Sequence, residues 1–179
     1  MEHPVITLRH HVHEDLAEIR QLLLDVHADI PEYSPDDPFV RRFPWFVDHW
    51  GGRPDFTCVI GYDADEPVGF AYGSPLSEGA EWWRDHITPA PEHCQTYAVS
   101  ELMVRPKWRK TGVSSKLHEA LVAERSEDLA VLLVDHSHPK VQSLYESWGY
   151  EKVGNRQPFA DSPVFATMVR WLRRPAVMS

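Results

Sequence analysis

Between Ser100 and Leu117 the chain reads Ser-Glu-Leu-Met-Val-Arg-Pro-Lys-Trp-Arg-Lys-Thr-Gly-Val-Ser-Ser-Lys-Leu, and no other stretch constrains the fold as tightly. A strand-like run from Thr96 ends in Leu102, Met103 and Val104. A basic loop follows, Gly112 turns the chain, and Val113, Leu117 and Leu121 recur at helical spacing. A loop that opens directly into a helix leaves the first backbone N–H groups without partners, and the helix dipole adds partial positive charge there. Arg105, Lys107, Arg109 and Lys110 place four cations within six positions. Glycine at the turn lets successive N–H groups point inward as an anion nest. Together these features describe a pyrophosphate cradle. It has neither the Gly-Lys-Ser/Thr of a nucleotide P-loop nor the triple glycine of a dinucleotide fold. The plainer alternative is a solvated basic turn ahead of an ordinary helix.

The flanking sequence indicates an α/β (α+β) domain with a central mixed sheet. Val5 to Arg9 alternates as a half-buried strand does, and His13-Glu14-Asp15 offers a helix start. Leu16, Ile19, Leu23, Val26 and Ile30 then keep helical spacing until Pro31. Glu32 to Pro44, with its three prolines, reads as a mobile loop or broken helix. Phe56–Tyr62 and Pro67–Gly73 form two strands joined by a turn at Asp63-Ala64-Asp65-Glu66. Ser74 to Gln95 is too long for a hairpin connection, and such lengths usually serve as lids or binding loops. Leu129–Val134 is a continuous apolar strand, Pro139–Trp148 a helix stopped by Gly149, and Tyr150–Gly154 and Pro163–Trp171 are the closing strands.

Composition narrows the functions open to this frame. At 179 residues, 42% hydrophobic and 25% charged, the chain suits one packed domain over residues 1–179 and is too apolar for disorder. No run approaches the roughly 20 apolar residues of a membrane-spanning helix. Met-Glu-His-Pro at the start lacks the features of a secretory signal, so a cytoplasmic setting is expected. A net charge of -9 disfavours nucleic acid and attracts small cations. Cys58 reads as a small core residue and Cys94 as a bystander. His10, His11 and His13, and the pair His136 and His138, lack the spacing of a closed zinc site, so no metal is expected.

On these residues the chain resembles the GNAT superfamily of acetyl-CoA-dependent N-acetyltransferases. The family signature, Gln or Arg, two residues, Gly, one residue, then Gly or Ala, stands here as Arg109-Lys110-Thr111-Gly112-Val113-Ser114, with Ser114 departing from the usual last position. Residues 5–30 resemble the family's opening strand and helix. Val141 to Tyr150 resembles its late helix, ending in Tyr-x-x-x-Gly-aromatic. The resemblance implies a mostly antiparallel sheet with splayed parallel strands, flanked by helices, and acetyl-CoA as cosubstrate. It implies that the backbone of Leu102, Met103 and Val104 holds the pantetheine arm, an N–H near Met103 polarising the thioester carbonyl. It assigns the pyrophosphate to Arg109, Lys110, Thr111, Gly112, Val113, Ser114 and Ser115.

Two catalytic residues follow from the same resemblance. Tyr145 matches the tyrosine that protonates the leaving thiolate, a task suited to a phenol; the alternative is a ring packed on the sheet. Glu101 stands where many relatives carry a catalytic or substrate-binding acid. The alternatives are an exposed strand glutamate, one paired with a nearby arginine, or a base supplied by His136 or His138. His138 occupies a position where relatives often carry a cofactor-contacting asparagine. The acceptor side carries Asp29, Glu32, Tyr33, Asp36, Asp37, Trp45, Trp50, Trp82 and Trp83, a set suited to a cationic or aromatic amine. The expected activity is acetyl transfer to a primary amine of a small molecule by direct attack, Cys94 not being acylated. A peptide or protein N-acetyltransferase and a non-catalytic ligand-binding module are the alternatives. No nucleic-acid or membrane partner is expected, and a homodimer stays open.

Overall fold

The alternation at the amino end builds β1 (Ile6–Val12), which pairs antiparallel with β2 (Thr57–Asp63), Ile6 opposite Asp63 and Val12 opposite Thr57. The strand runs beyond Arg9 because this register carries His10 and His11 into the ladder. The structure, a computed structural model, describes residues 4–173. Met1, Glu2 and His3, used in reading the start of the chain, lie outside them. The chain divides into two compact units, Met1–Ser74 with Ser100–Glu124, and Pro75–Val99 with Arg125–Ser179.

In the first unit a 3-10 turn at His13–Asp15 leads into α1 (Leu16–Ala28), and the Asp15 carboxylate accepts the Val12 N–H at 3.0 Å. The proline-rich stretch after α1 is a broken helix. Its pieces are α2 (Pro38–Arg41), started by Asp37 accepting the Phe39 N–H at 2.8 Å, and α3 (Phe43–Gly51). β2 turns through Ala64, at φ 54°, into its antiparallel partner β3 (Glu66–Leu76). The strand order is β1-β2-β3-β4, where β4 (Thr96–Val104) contributes Ser100–Val104 to this unit. One face of these strands holds a core of Ile19, Leu23 and Val26 from α1 and Phe43 and Val47 from α3. They pack with Cys58, Ile60, Phe70, Tyr72 and Met103. The other face carries α4 (Val113–Val122), whose Leu117 lies against Gly61 and Gly69.

Gly69 sets how close β3 and β4 come. A Cβ there would stand 2.5 Å from the Met103 carbonyl oxygen and 3.0 Å from the Val104 Cα. The next contact fixes the direction: the Arg105 N–H donates to the Val68 carbonyl at 2.8 Å. Stepping forward on β3 therefore means stepping back on β4, so the two run antiparallel. Counting on, Phe70 faces Met103 and Tyr72 faces Glu101. With a side-chain period of two, Phe70, Tyr72, Glu101 and Met103 share the α1–α3 face, and three of the four are already in that core.

In the second unit β5 (Leu129–Asp135) pairs in parallel with Thr96, Tyr97 and Ala98 of β4, and the register ends there. β7 (Phe165–Trp171) runs antiparallel to β5, and β6 (Glu151–Arg156) antiparallel to β7. α5 (Pro139–Ser147) stops at Gly149, which takes φ 94°. The connection after β3 forms no helix or strand through residue 95. Trp83 anchors it: the indole is fully buried and donates to the Thr96 hydroxyl at 2.9 Å. The strands are thus mixed and mostly antiparallel, with one parallel pair and flanking helices, as the sequence implies. Among the described residues no helix is long and apolar enough to cross a membrane.

Candidate active site

β4 delivers the chain to the basic loop through a short 3-10 turn at Pro106–Trp108. Trp108 is buried and its indole N–H donates to Asp63 at 3.0 Å, which fixes the base of the loop to the β2–β3 hairpin. The Thr111 hydroxyl donates to the Trp108 carbonyl and closes the turn from the other side. That hydroxyl is therefore engaged in shaping the loop. Lys110 and Gly112 both take left-handed conformations, φ 61° and 83°, and the chain enters α4 from Gly112. No side chain caps this helix start. The N–H groups of the Val113, Ser114 and Ser115 turn therefore keep the anion-binding character that the sequence indicates.

The four cations of the loop are not equally available. Arg109 grips both carboxylate oxygens of Glu32, one contact at 2.8 Å, which holds the guanidinium pKa above its ordinary value. Arg105 lies 3.9 Å from Asp29. The Lys107 ammonium sits 4.7 Å from the centre of the Trp108 ring, and Lys110 is exposed with no ion pair among the described residues. Asp29 and Glu32 are thus turned toward the loop's arginines, and Asp37 caps α2. Of the indoles expected around an acceptor, Trp83 is core, Trp50 packs partly against the core, and Trp45 is 52% exposed, stacked on His49 at 4.9 Å.

Glu101 points to the α1–α3 face. The residue is half-buried, and burial of its carboxyl pushes the pKa up to about 8. A carboxyl held there changes protonation in the range where a general base works best. Its cross-strand neighbour Tyr72 was not singled out from the sequence, where it reads as an ordinary strand aromatic. Tyr72 is fully buried, and its hydroxyl has no hydrogen-bond partner among the described residues. Burial, then the nearby charges of Glu101, Cys58 and Tyr33, raise its phenol well above the ordinary value. On the same face His27 lies between Phe43 and Tyr33, ring centroids 3.9 and 4.9 Å away, and burial lowers its pKa to about 4.

Tyr145 belongs to the second unit. It is 9% exposed on α5, with Trp148 and Tyr150 edge-on at 5.1 and 5.8 Å. His138 is exposed and 3.8 Å from Asp135, whose carboxylate also takes the Ser137 N–H and hydroxyl. Cys58 is buried in the first unit, and its thiol pKa is raised by that burial. The Cys94 thiol is pushed up to about 11, by burial first and the Asp128 charge second, which makes it a poor nucleophile. Among the described residues no three His, Cys, Asp or Glu side chains gather as a metal site.

Comparison with known proteins bears on this geometry. The profile of the acetyltransferase (GNAT) domain matches residues 54–152, more than half of the chain and the whole of β4, the basic loop and α4. A search among curated proteins found no match. Among solved structures, an acetyltransferase from Thermus thermophilus superposes with a TM-score of 0.65 at 17% identity, covering 96% of this chain and 100% of its own. NAA60 of Arabidopsis thaliana, crystallised with acetyl-CoA, gives 0.68 at 16% identity, with 94% and 99% covered. Histone acetyltransferase HPA2 and related acetyltransferase from Corynebacterium glutamicum gives 0.66 at 17%, with 96% and 99% covered. Such identities speak for the fold, and the profile match carries the family: the chain belongs to the GNAT acetyltransferases.

Proposed function

We propose that this chain transfers the acetyl group of acetyl-CoA to a primary amine of a small molecule by direct attack, with Glu101 as the base. The observation that carries the reading is the Glu101 carboxyl, raised to about 8 on the last strand before the cofactor loop. An amine at neutral pH arrives as an ammonium ion and must lose a proton before its lone pair can attack. The Glu101 carboxylate takes that proton and becomes the neutral acid that its surroundings favour. The amine nitrogen then bonds the acetyl carbonyl carbon, the carbon–sulfur bond breaks and the sulfur leaves with a proton from Tyr145, while the amide nitrogen loses its surplus proton to water, from which the Tyr145 phenolate is reprotonated. For Tyr145 the support is the family resemblance and the survival of a buried phenol on α5.

Acetyl-CoA supplies an activated thioester when bound, and the loop residues fit it. The uncapped N–H groups at Val113–Ser115, with Lys107 and Lys110, suit a pyrophosphate. The backbone of Leu102, Met103 and Val104 is the proposed hold for the pantetheine amides, supported by the β4–β5 register ending at Ala98. Cys94, with its raised thiol pKa, speaks for direct attack over an acyl-enzyme. The test is a panel of small amines and a lysine peptide with acetyl-CoA, read by release of free thiol. Turnover of small amines that falls in Glu101→Gln is expected. Turnover of the peptide alone moves the reading to a peptide N-acetyltransferase, and thiol release on none of them overturns catalysis.

A further inference from the structure

Tyr72 is held by rings on both sides, stacked on Phe70 at 5.8 Å and tilted against Phe56 at 5.5 Å between centroids. Phenylalanine would keep both contacts. What the packing leaves without a purpose is the hydroxyl, fully buried and unpartnered among the described residues. Buried phenols nearly always find a partner, since leaving one unpaired destabilises the fold. An orphan of this kind marks a place where a bond is made to something else.

Its position says to what. The Arg105 N–H donates to the Val68 carbonyl across the β3–β4 ladder. Counted along that antiparallel ladder, Tyr72 stands opposite Glu101, with both side chains on one face. The orphan hydroxyl and the half-buried carboxyl therefore project together toward the α1–α3 face.

We propose that the Tyr72 hydroxyl is an acceptor-binding group, its oxygen taking a hydrogen bond from the amine nitrogen whose proton Glu101 removes. The proposal rests on the acetyltransferase reading. Of the three protons of a primary ammonium, one passes to Glu101. A second is held by Tyr72, which fixes the nitrogen beside Glu101 while the first is removed and its lone pair is set free.

Tyr72→Phe tests this against the parent, with n-butylamine, phenethylamine, spermidine and a lysine peptide as probes and thermal unfolding read in parallel. Expected are an unfolding temperature equal to or above the parent's, because an unpaired buried oxygen is removed, and a KM for the amine raised about tenfold, the loss of one desolvated hydrogen bond. The KM for acetyl-CoA stays unchanged. A lowered unfolding temperature means that the hydroxyl serves the fold, and an unchanged amine KM means that it does not touch the acceptor; either overturns the proposal alone. A parent inactive on every probe overturns the acetyltransferase reading and this proposal with it.

Discussion

Arg109 and Glu32, 77 positions apart in sequence, hold each other by two parallel contacts between the basic loop and the segment after α1. The signature arginine of the loop is thus occupied by a carboxylate in the structure described. Both side chains are substantially exposed, 39% and 47%, so the pair is weak enough for a polyanion to displace. Glu32→Gln is expected to tighten CoA binding in calorimetry by no more than about fivefold, because an exposed ion pair contributes at most about 1 kcal/mol. The gain should shrink as salt rises. Weaker binding in the variant would mean that Glu32 orients Arg109 rather than competing for it.

The raised pKa of Glu101 predicts two pH dependences of opposite sense. As base it must be ionised, so kcat/KM should rise with pH and level off above about 8, and Glu101→Gln should lose this limb along with about 10²-fold or more in rate. For stability, a carboxyl raised from 4.5 to about 8 favours the folded state fully below 4.5, and that advantage is lost as pH rises through 8. Thermal unfolding should therefore find Glu101→Gln more stable than the parent at pH 9, with the difference shrinking at pH 5. An unchanged profile in both assays would show that the carboxyl is solvated.

His27 gives the acid side. Its pKa falls from 6.5 to about 4 through burial, so its contribution is complete above 6.5 and is lost as pH drops through 4. Replacing it with Phe, which preserves the stack between Tyr33 and Phe43, should flatten the fall in unfolding temperature between those values. A variant that follows the parent curve would assign the acid sensitivity elsewhere.

Gly69→Ala should be severe. Its methyl group would meet backbone atoms of Met103 and Val104, which no rotamer change relieves. A loss of about 1–3 kcal/mol, typical of overpacking in a tight core, is expected in denaturant unfolding, along with weaker CoA binding, because the displaced strand carries Leu102–Val104. Full retention of both would sink the claim that this glycine sets the strand spacing.

For Tyr145, substitution by Phe leaves the edge-on contacts with Trp148 and Tyr150 in place. Stability should change by less than about 0.5 kcal/mol, while the rate falls about 10- to 100-fold, in a manner that a substrate with a better leaving thiol partly restores. Parent-like turnover would remove it from the mechanism.

What could be read in the sequence was what is local. Thr96–Val104 and the helix from Val113 appear where spacing puts them, because periodicity and a glycine turn act over a few residues. The extension of β1 through His10 and His11 escaped the alternation because the ladder with β2, about fifty residues away, decides it. The same holds for the site. Glu101 was visible as a strand acid, but its face depends on Gly69 admitting β4 in one register. The acids at and after the end of α1 suit a cationic amine by residue type, yet Asp29 and Glu32 face arginines that no local pattern links to them. Tyr72 carried no signal, since only a three-dimensional inventory of partners exposes an orphaned oxygen.

Trp83 has a consequence for how this enzyme can diverge. Its sealed indole, bonded to Thr96, pins the long connection near its middle, and His86 beside it presses on Gly154. The segment is therefore two short tethers rather than one long one, 77–82 and 87–95. Changes confined to one tether leave the other attached, provided they spare buried Glu81, which ties the first to Arg84, and Gln95, which bonds Asp128 at the end of the second.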